Sequence, residues 1–218
     1  MSANEALTRI LDAARLHTPG ALDGVLLLEF FNTAKEFFRR TDCWRDHIEL
    51  FIQPGIPEYP LNATAPAQVI KLIWLEGLRP IGGLQNPIQH GPQRVGHLIV
   101  NQSRNKVLFV PVLPAGPEAW HAHVSLTIAD PVSPEGVPYF PNELLSAYHE
   151  TLLDGLLSKV LMHAKKPYSD QQLAAFHGRR FNNGISVARN EARSGFLADG
   201  QHWQYPQQFA NRRGQRLY

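Results

Sequence analysis

His121-Ala122-His123 is the sharpest chemical signature in this 218-residue chain. On an extended strand residues i and i+2 share a face, so both imidazoles could reach one ion. A zinc site needs a third and usually a fourth ligand. The sequence marks none nearby, so the pair reads as solvated or interface histidines. His149-Glu150 and His163, in a helical stretch, are weaker still, and Asp42 and Asp46 straddle a helix end as capping or surface carboxylates. The lone cysteine, Cys43, excludes an internal disulfide and a CxxC-type zinc site, and reads as a small core residue. Gly82-Gly83 and the other glycines lack the GxGxxG and GxxxxGK spacings that cradle phosphate. Neither a GxSxG elbow nor an HExxH pair is present. The expectation is a protein that is not an enzyme, with no catalytic residue, no cofactor and no metal.

The C-terminal quarter carries a different chemistry. From His177 onward Arg179, Arg180, Arg189, Arg193, Arg212, Arg213 and Arg216 face only Glu191 and Asp199. Trp203, Tyr205, Phe209 and Tyr218 are interleaved with the last of them. Arginine with stacking aromatics suits single-stranded nucleic acid, and the same residue types anchor protein interfaces. Residues 196–218 have few aliphatics and no periodicity, so they read as an extended arm that docks on another subunit. The interface set is Arg189, Arg193, Trp203, Tyr205, Phe209, Arg212, Arg213 and Tyr218, and a nucleic-acid-binding module is the alternative.

Composition narrows the class. Hydrophobic residues make up 44%, enough for a packed core, and net charge is +2, too balanced for a whole-surface nucleic-acid binder. Charged residues are only 18%, which hints at a surface covered by partners. The 15 arginines against 6 lysines fit either interface enrichment or the codon usage of a GC-rich genome. The N-terminal residues have no basic stretch of a secretory signal, and the apolar runs fall far short of the ~20 residues that span a bilayer. A soluble, non-membrane protein of the reducing cytosol is expected.

Proline divides the chain into the elements that must position these groups. Fourteen of the 17 prolines lie between Pro54 and Pro141, so the flanks can be helical and the middle cannot. Leu7, Ile10, Leu11 and Ala14 predict a helix ended by Thr18-Pro19-Gly20. Leu27, Phe30, Phe31, Ala34, Phe37 and Phe38 predict a second, ending near Thr41. The middle alternates as strands: Ile48–Ile52, Tyr59–Leu61 pairing back as a short edge strand, Val69–Leu75, a hairpin of Val95–Val100 with Lys106–Val112, and Trp120–Ile128. Ile81–Arg94 reads as an exposed loop. Past Pro141, Leu145, Tyr148, Leu152, Leu156 and Val160 mark one helix closed by Lys165-Lys166-Pro167, with Gly155 allowing a close approach. Ser169 and Gln172 have capping-box spacing. Leu173, Phe176, Phe181, Ile185, Ala188 and Ala192 mark the last helix, with Gly195 as its C-cap. The fold class is α+β. About four helices from both flanks, residues 1–44 and 139–195, form a bundle. An antiparallel β sandwich or barrel, residues 45–138, is inserted in it, and an extended arm, 196–218, follows.

The order of these motifs resembles the head-to-tail adaptor (connector) proteins of tailed bacteriophages. A helix ending in Phe37-Phe38-Arg39-Arg40-Thr41 leads to Trp44 and on to Tyr59-Pro60-Leu61. Later come Leu144-Leu145, Tyr148-His149-Glu150, Gly155, Met162, Lys166-Pro167-Tyr168, Leu173-Ala174, Phe181-Asn182, Gly184-Ile185 and Ala188-Arg189. The likeness covers about residues 22–61 and 139–193; between them it holds only in general character. It implies a structural virion protein at the neck, made in the host cytoplasm, that forms a homo-oligomeric, dodecameric ring beneath the portal protein. Such a ring extends the channel through which genomic DNA passes without sequence-specific binding, and docks the tail or nozzle protein.

Overall fold

The computed structural model describes residues 5–63, 66–77, 93–100, 106–130 and 138–194. Helical apolar spacing at the start of the chain gives α1 (Glu5–His17), which buries Ala6, Ile10 and Ala14. The Thr18 hydroxyl donates to the Ala14 carbonyl at 2.8 Å, and Gly20 turns the chain at φ 86°. α2 (Asp23–Thr41) buries Leu26, Phe30, Thr33, Ala34, Phe37, Phe38 and Thr41. Leu27 and Phe31 flank that stripe half-buried. The helix stops at Asp42, left-handed at φ 56°, whose N–H donates to the Phe38 carbonyl.

Seven strands follow: β1 (Arg45–Ile52), β2 (Glu58–Pro60), β3 (Ala67–Gly77), β4 (Gln93–Arg94), β5 (His97–Val100), β6 (Lys106–Phe109) and β7 (Glu118–Ile128). They form two antiparallel sheets, ordered β1-β7-β3-β4 and β2-β6-β5, and no barrel closes among the described residues. The β5–β6 hairpin forms as the sequence predicts. Two expectations need correction. The short strand at Tyr59 is an edge strand, as Pro60 requires, but it pairs with β6 rather than back on β1. Only its side chain reaches the end of β1: the Tyr59 hydroxyl accepts from the Gln53 N–H at 2.8 Å and donates to the Gln53 carbonyl. The end of the expected Ile81–Arg94 loop is strand, with Gln93 and Arg94 opposite Glu76 and Leu75.

Three helices close the chain: α3 (Asn142–Ala147), α4 (His149–Val160) and α5 (Gln171–Ser194). The sequence predicts one helix where α3 and α4 stand. The break is at Tyr148, φ −113°, whose ring packs 5.2 Å from that of Phe37 and whose hydroxyl donates to Glu191 at 3.1 Å. Tertiary contacts on both sides of this residue override a regular helical path. The helix also ends at Val160, before the lysines, and Lys165 is left-handed at φ 61°. The cap of α5 is Asp170, whose carboxylate accepts from the Leu173 N–H at 2.9 Å, and not Ser169. The expected C-cap, Gly195, lies outside the described residues.

α4 packs on α1, α2 and α5, and α2 packs on α5 and β7. Helices from the two ends of the chain thus share one core, which continues into the strands. The chain leaves and rejoins the helices at neighbouring points: the rings of Trp44 and Tyr139 are 6.2 Å apart.

Candidate functional site

α5 carries both of the predicted interface residues that are described, Arg189 and Arg193. Its buried face is Ala174, His177, Phe181, Ile185, Ala188 and Ala192. Leu173 and Phe176, predicted for that face, are exposed instead, and Val187 is half exposed on the same outer side. The buried stripe runs in regular helical steps through Ala174 and His177, which sets Leu173 and Phe176 off it, and Asp154 on α4 partners His177 there. Its carboxylate is 2.7 Å from His177 Nδ1 and accepts from Arg180 Nε at 2.9 Å. A polar residue therefore takes the place that hydrophobic patterning gave to phenylalanine.

The α5 arginines divide into two kinds. Arg189, predicted as an interface residue, donates from Nε to the Arg40 carbonyl at 2.7 Å and so satisfies an end group of α2. Arg180 is held by Asp154 and lies over the Phe176 ring. Arg179 and Arg193 are exposed. The described part of the basic C-terminal quarter is thus partly consumed within the subunit. Nearby charge is also paired: Glu36 accepts from both Arg40 and Lys159. Burial works against the Glu36 charge, but those two cations outweigh it and hold its carboxyl below the usual range. Trp203, Tyr205, Phe209, Arg212, Arg213 and Tyr218 lie outside the described residues.

Between the start of α4 and the end of α5 runs an open groove of about 550 Å³, lined by Tyr148, Glu150, Val187 and Glu191 among others. Burial, with the nearby Cys43 and Glu191 adding to it, raises the Tyr148 hydroxyl pKa, so it stays a neutral donor. Its polar lining is Tyr148, His149, Glu150, Thr151 and Glu191, with Ala147, Val187 and Ala188 as the apolar part.

The His121/His123 pair is on β7, and the sheet brings it a third imidazole that sequence spacing does not show. His47 on β1 stands opposite His123, and Glu49 stands opposite His121. From the other side β3 sets Trp74 opposite His123 and Glu76 opposite His121. The His47 ring is 6.2 Å from that of His121 and 6.5 Å from that of His123. His121 Nε2 is 3.5 Å from Glu49, and His123 Nε2 is 3.5 Å from Glu76. Among the described residues no group of three His, Cys, Asp or Glu side chains could hold a metal ion. No described helix is long and apolar enough to cross a membrane. Compared with known proteins, the chain matches no family model and no curated sequence.

Proposed function

We propose that this protein is a head-to-tail adaptor of a tailed bacteriophage: a structural virion protein that assembles as a ring under the portal and docks the tail. The observation that carries the reading is the outer side of α5. The helix already buries one full stripe, yet Leu173, Phe176 and Val187 stand 36%, 45% and 50% exposed on the other side. Leu173 and Phe176, neighbours on one side of the helix, make a small contiguous apolar surface of the kind partners cover. Leu16, Leu22 and Leu28 at the α1–α2 corner, 85%, 73% and 58% exposed, supply a second such surface. Two unlike surfaces on one subunit allow the head-to-tail contacts that close a ring. The motif order supports the same reading, with the helices as a bundle, the strands as an inserted sandwich and residues 196–218 as the assembly arm. Internal use of Arg180 and Arg189 favours protein contact over nucleic-acid binding.

The test is sizing by light scattering and negative-stain imaging of the chain, alone and with a tailed-phage portal ring. Twelve-fold rings seated on the portal are the expected result, even where the chain alone is a monomer. No association with the portal, together with a salt-sensitive shift of single-stranded DNA, overturns the reading in favour of nucleic-acid binding.

A further inference from the structure

The face of the four-stranded sheet that carries the three histidines changes character along β7. From Val124 to Ile128 every residue is buried, whereas His121 and His123 sit on a half-open stretch. Even so, Nε2 of each is closed off from solvent and, among the described residues, makes no well-formed hydrogen bond. The carboxylates 3.5 Å away stand beyond good hydrogen-bonding distance. Over His123 lies the indole of Trp74, ring centroids 4.3 Å apart. An imidazole packed in this way is accommodated as a neutral ring. A proton added to it meets burial on one side and two further imidazoles on the other.

We propose that His123, with His47 and His121 across the pairing, is an acid-sensitive latch: proton uptake at His123 loosens the β1–β7–β3 sheet. Among the described residues, the charged and titratable groups facing it come from three strands. β1 contributes His47 and Glu49, β7 contributes His121, and β3 contributes Glu76 with Lys71 further along. Lys71 is already paired with Asp42 at 2.7 Å. Glu76 and the indole favour the charged ring. Burial opposes it first, His121 and His47 add to that, and together they prevail, pushing His123 below the ordinary imidazole range. A histidine with a lowered folded-state pKa is protonated more readily in the unfolded chain. Stability is therefore complete above the unfolded value of about 6.5 and falls as acid moves down through it.

The experiment uses the full chain. Imidazole titrations by NMR and thermal melts are recorded between pH 8 and pH 5 for wild type, His123→Gln, His47→Gln and Glu76→Gln. The His123 midpoint is expected below those of solvent-exposed histidines, rising in His47→Gln and dropping further in Glu76→Gln. The fall in melting temperature on acidification is expected to shrink in His123→Gln. A wild-type His123 midpoint at or above that of free imidazole overturns the proposal, and this measurement stands even where His123→Gln does not fold. An acid-induced fall in melting temperature of the same size in a folded His123→Gln also overturns it.

Discussion

Gly155 on α4 lies directly against the Phe181 ring on α5: a methyl group at position 155 would stand 2.7 Å from two ring carbons and 2.5 Å from the Thr33 methyl. Glycine is required here for the close approach of three helices. A side chain of any size must push α2, α4 and α5 apart. Gly155→Ala is expected to destabilise by about 1–3 kcal/mol, the usual penalty for overpacking. For a chain of this size that lowers the melting temperature by roughly 2–4 °C per kcal/mol. Gly24→Ala is the control, because none of the described residues lies within 4 Å of a methyl placed there. Equal melting temperatures for Gly155→Ala and wild type would refute the packing account.

Cys43 joins the last turn of α2 to β1 and is buried, with the Thr41 hydroxyl 3.1 Å from its sulfur. Burial pushes its thiol up to about 11, so the nucleophilic thiolate is scarce at neutral pH. Labelling by a maleimide at pH 7.5 is expected to be at least tenfold slower than for a free thiol, and immediate in denaturant. Rapid labelling of the folded chain would show that the α2–β1 junction opens readily.

Much of the helical architecture was legible because apolar spacing reports the face that a helix buries. α1 and α2 end where Thr18-Pro19-Gly20 and Thr41 say they should. The reading failed where a side chain far along the chain decides the local path. Tyr148 breaks a helix to meet Phe37 and Glu191, and His177 is held inside by Asp154 on α4. The third histidine was invisible for the same reason: His47 and His123 meet only once β1 and β7 pair. At Tyr59 the sequence gives an edge strand but does not say whose edge.

Asp154 is a buried carboxylate between two cationic or hydrogen-bonding groups from α5. Removing it leaves His177 inside without its partner, which is costlier than losing the pair as a whole. Asp154→Ala is expected to cost about 3 kcal/mol in denaturant unfolding. The Arg180 side chain is 53% exposed, and Arg180→Ala is expected to cost no more than about 1 kcal/mol. Similar costs for both would mean that Asp154 acts mainly through Arg180 and not through His177.

The proposed ring makes a demand that folding does not. Leu173, Phe176 and Arg193 are exposed in the single subunit, so changing them touches little of the core, and surface changes of this kind shift stability by about 0.5 kcal/mol or less. Burying one apolar or aromatic anchor in an interface contributes about 2 kcal/mol, or more than tenfold in affinity. Each subunit of a closed ring uses the same contact, so the effect is repeated around the circle. Phe176→Glu with Leu173→Glu is therefore expected to leave the circular-dichroism spectrum and melting temperature nearly unchanged while abolishing rings on the portal. Arg193→Ala is expected to weaken assembly in a milder, salt-dependent way. Removal of residues 197–218 is expected to act like the double glutamate variant, preserving the fold but preventing attachment to DNA-filled heads. The decisive comparison is between melting temperature and ring formation in the same preparations. Variants that melt normally and still assemble on the portal would remove both the outer side of α5 and the arm from the interface.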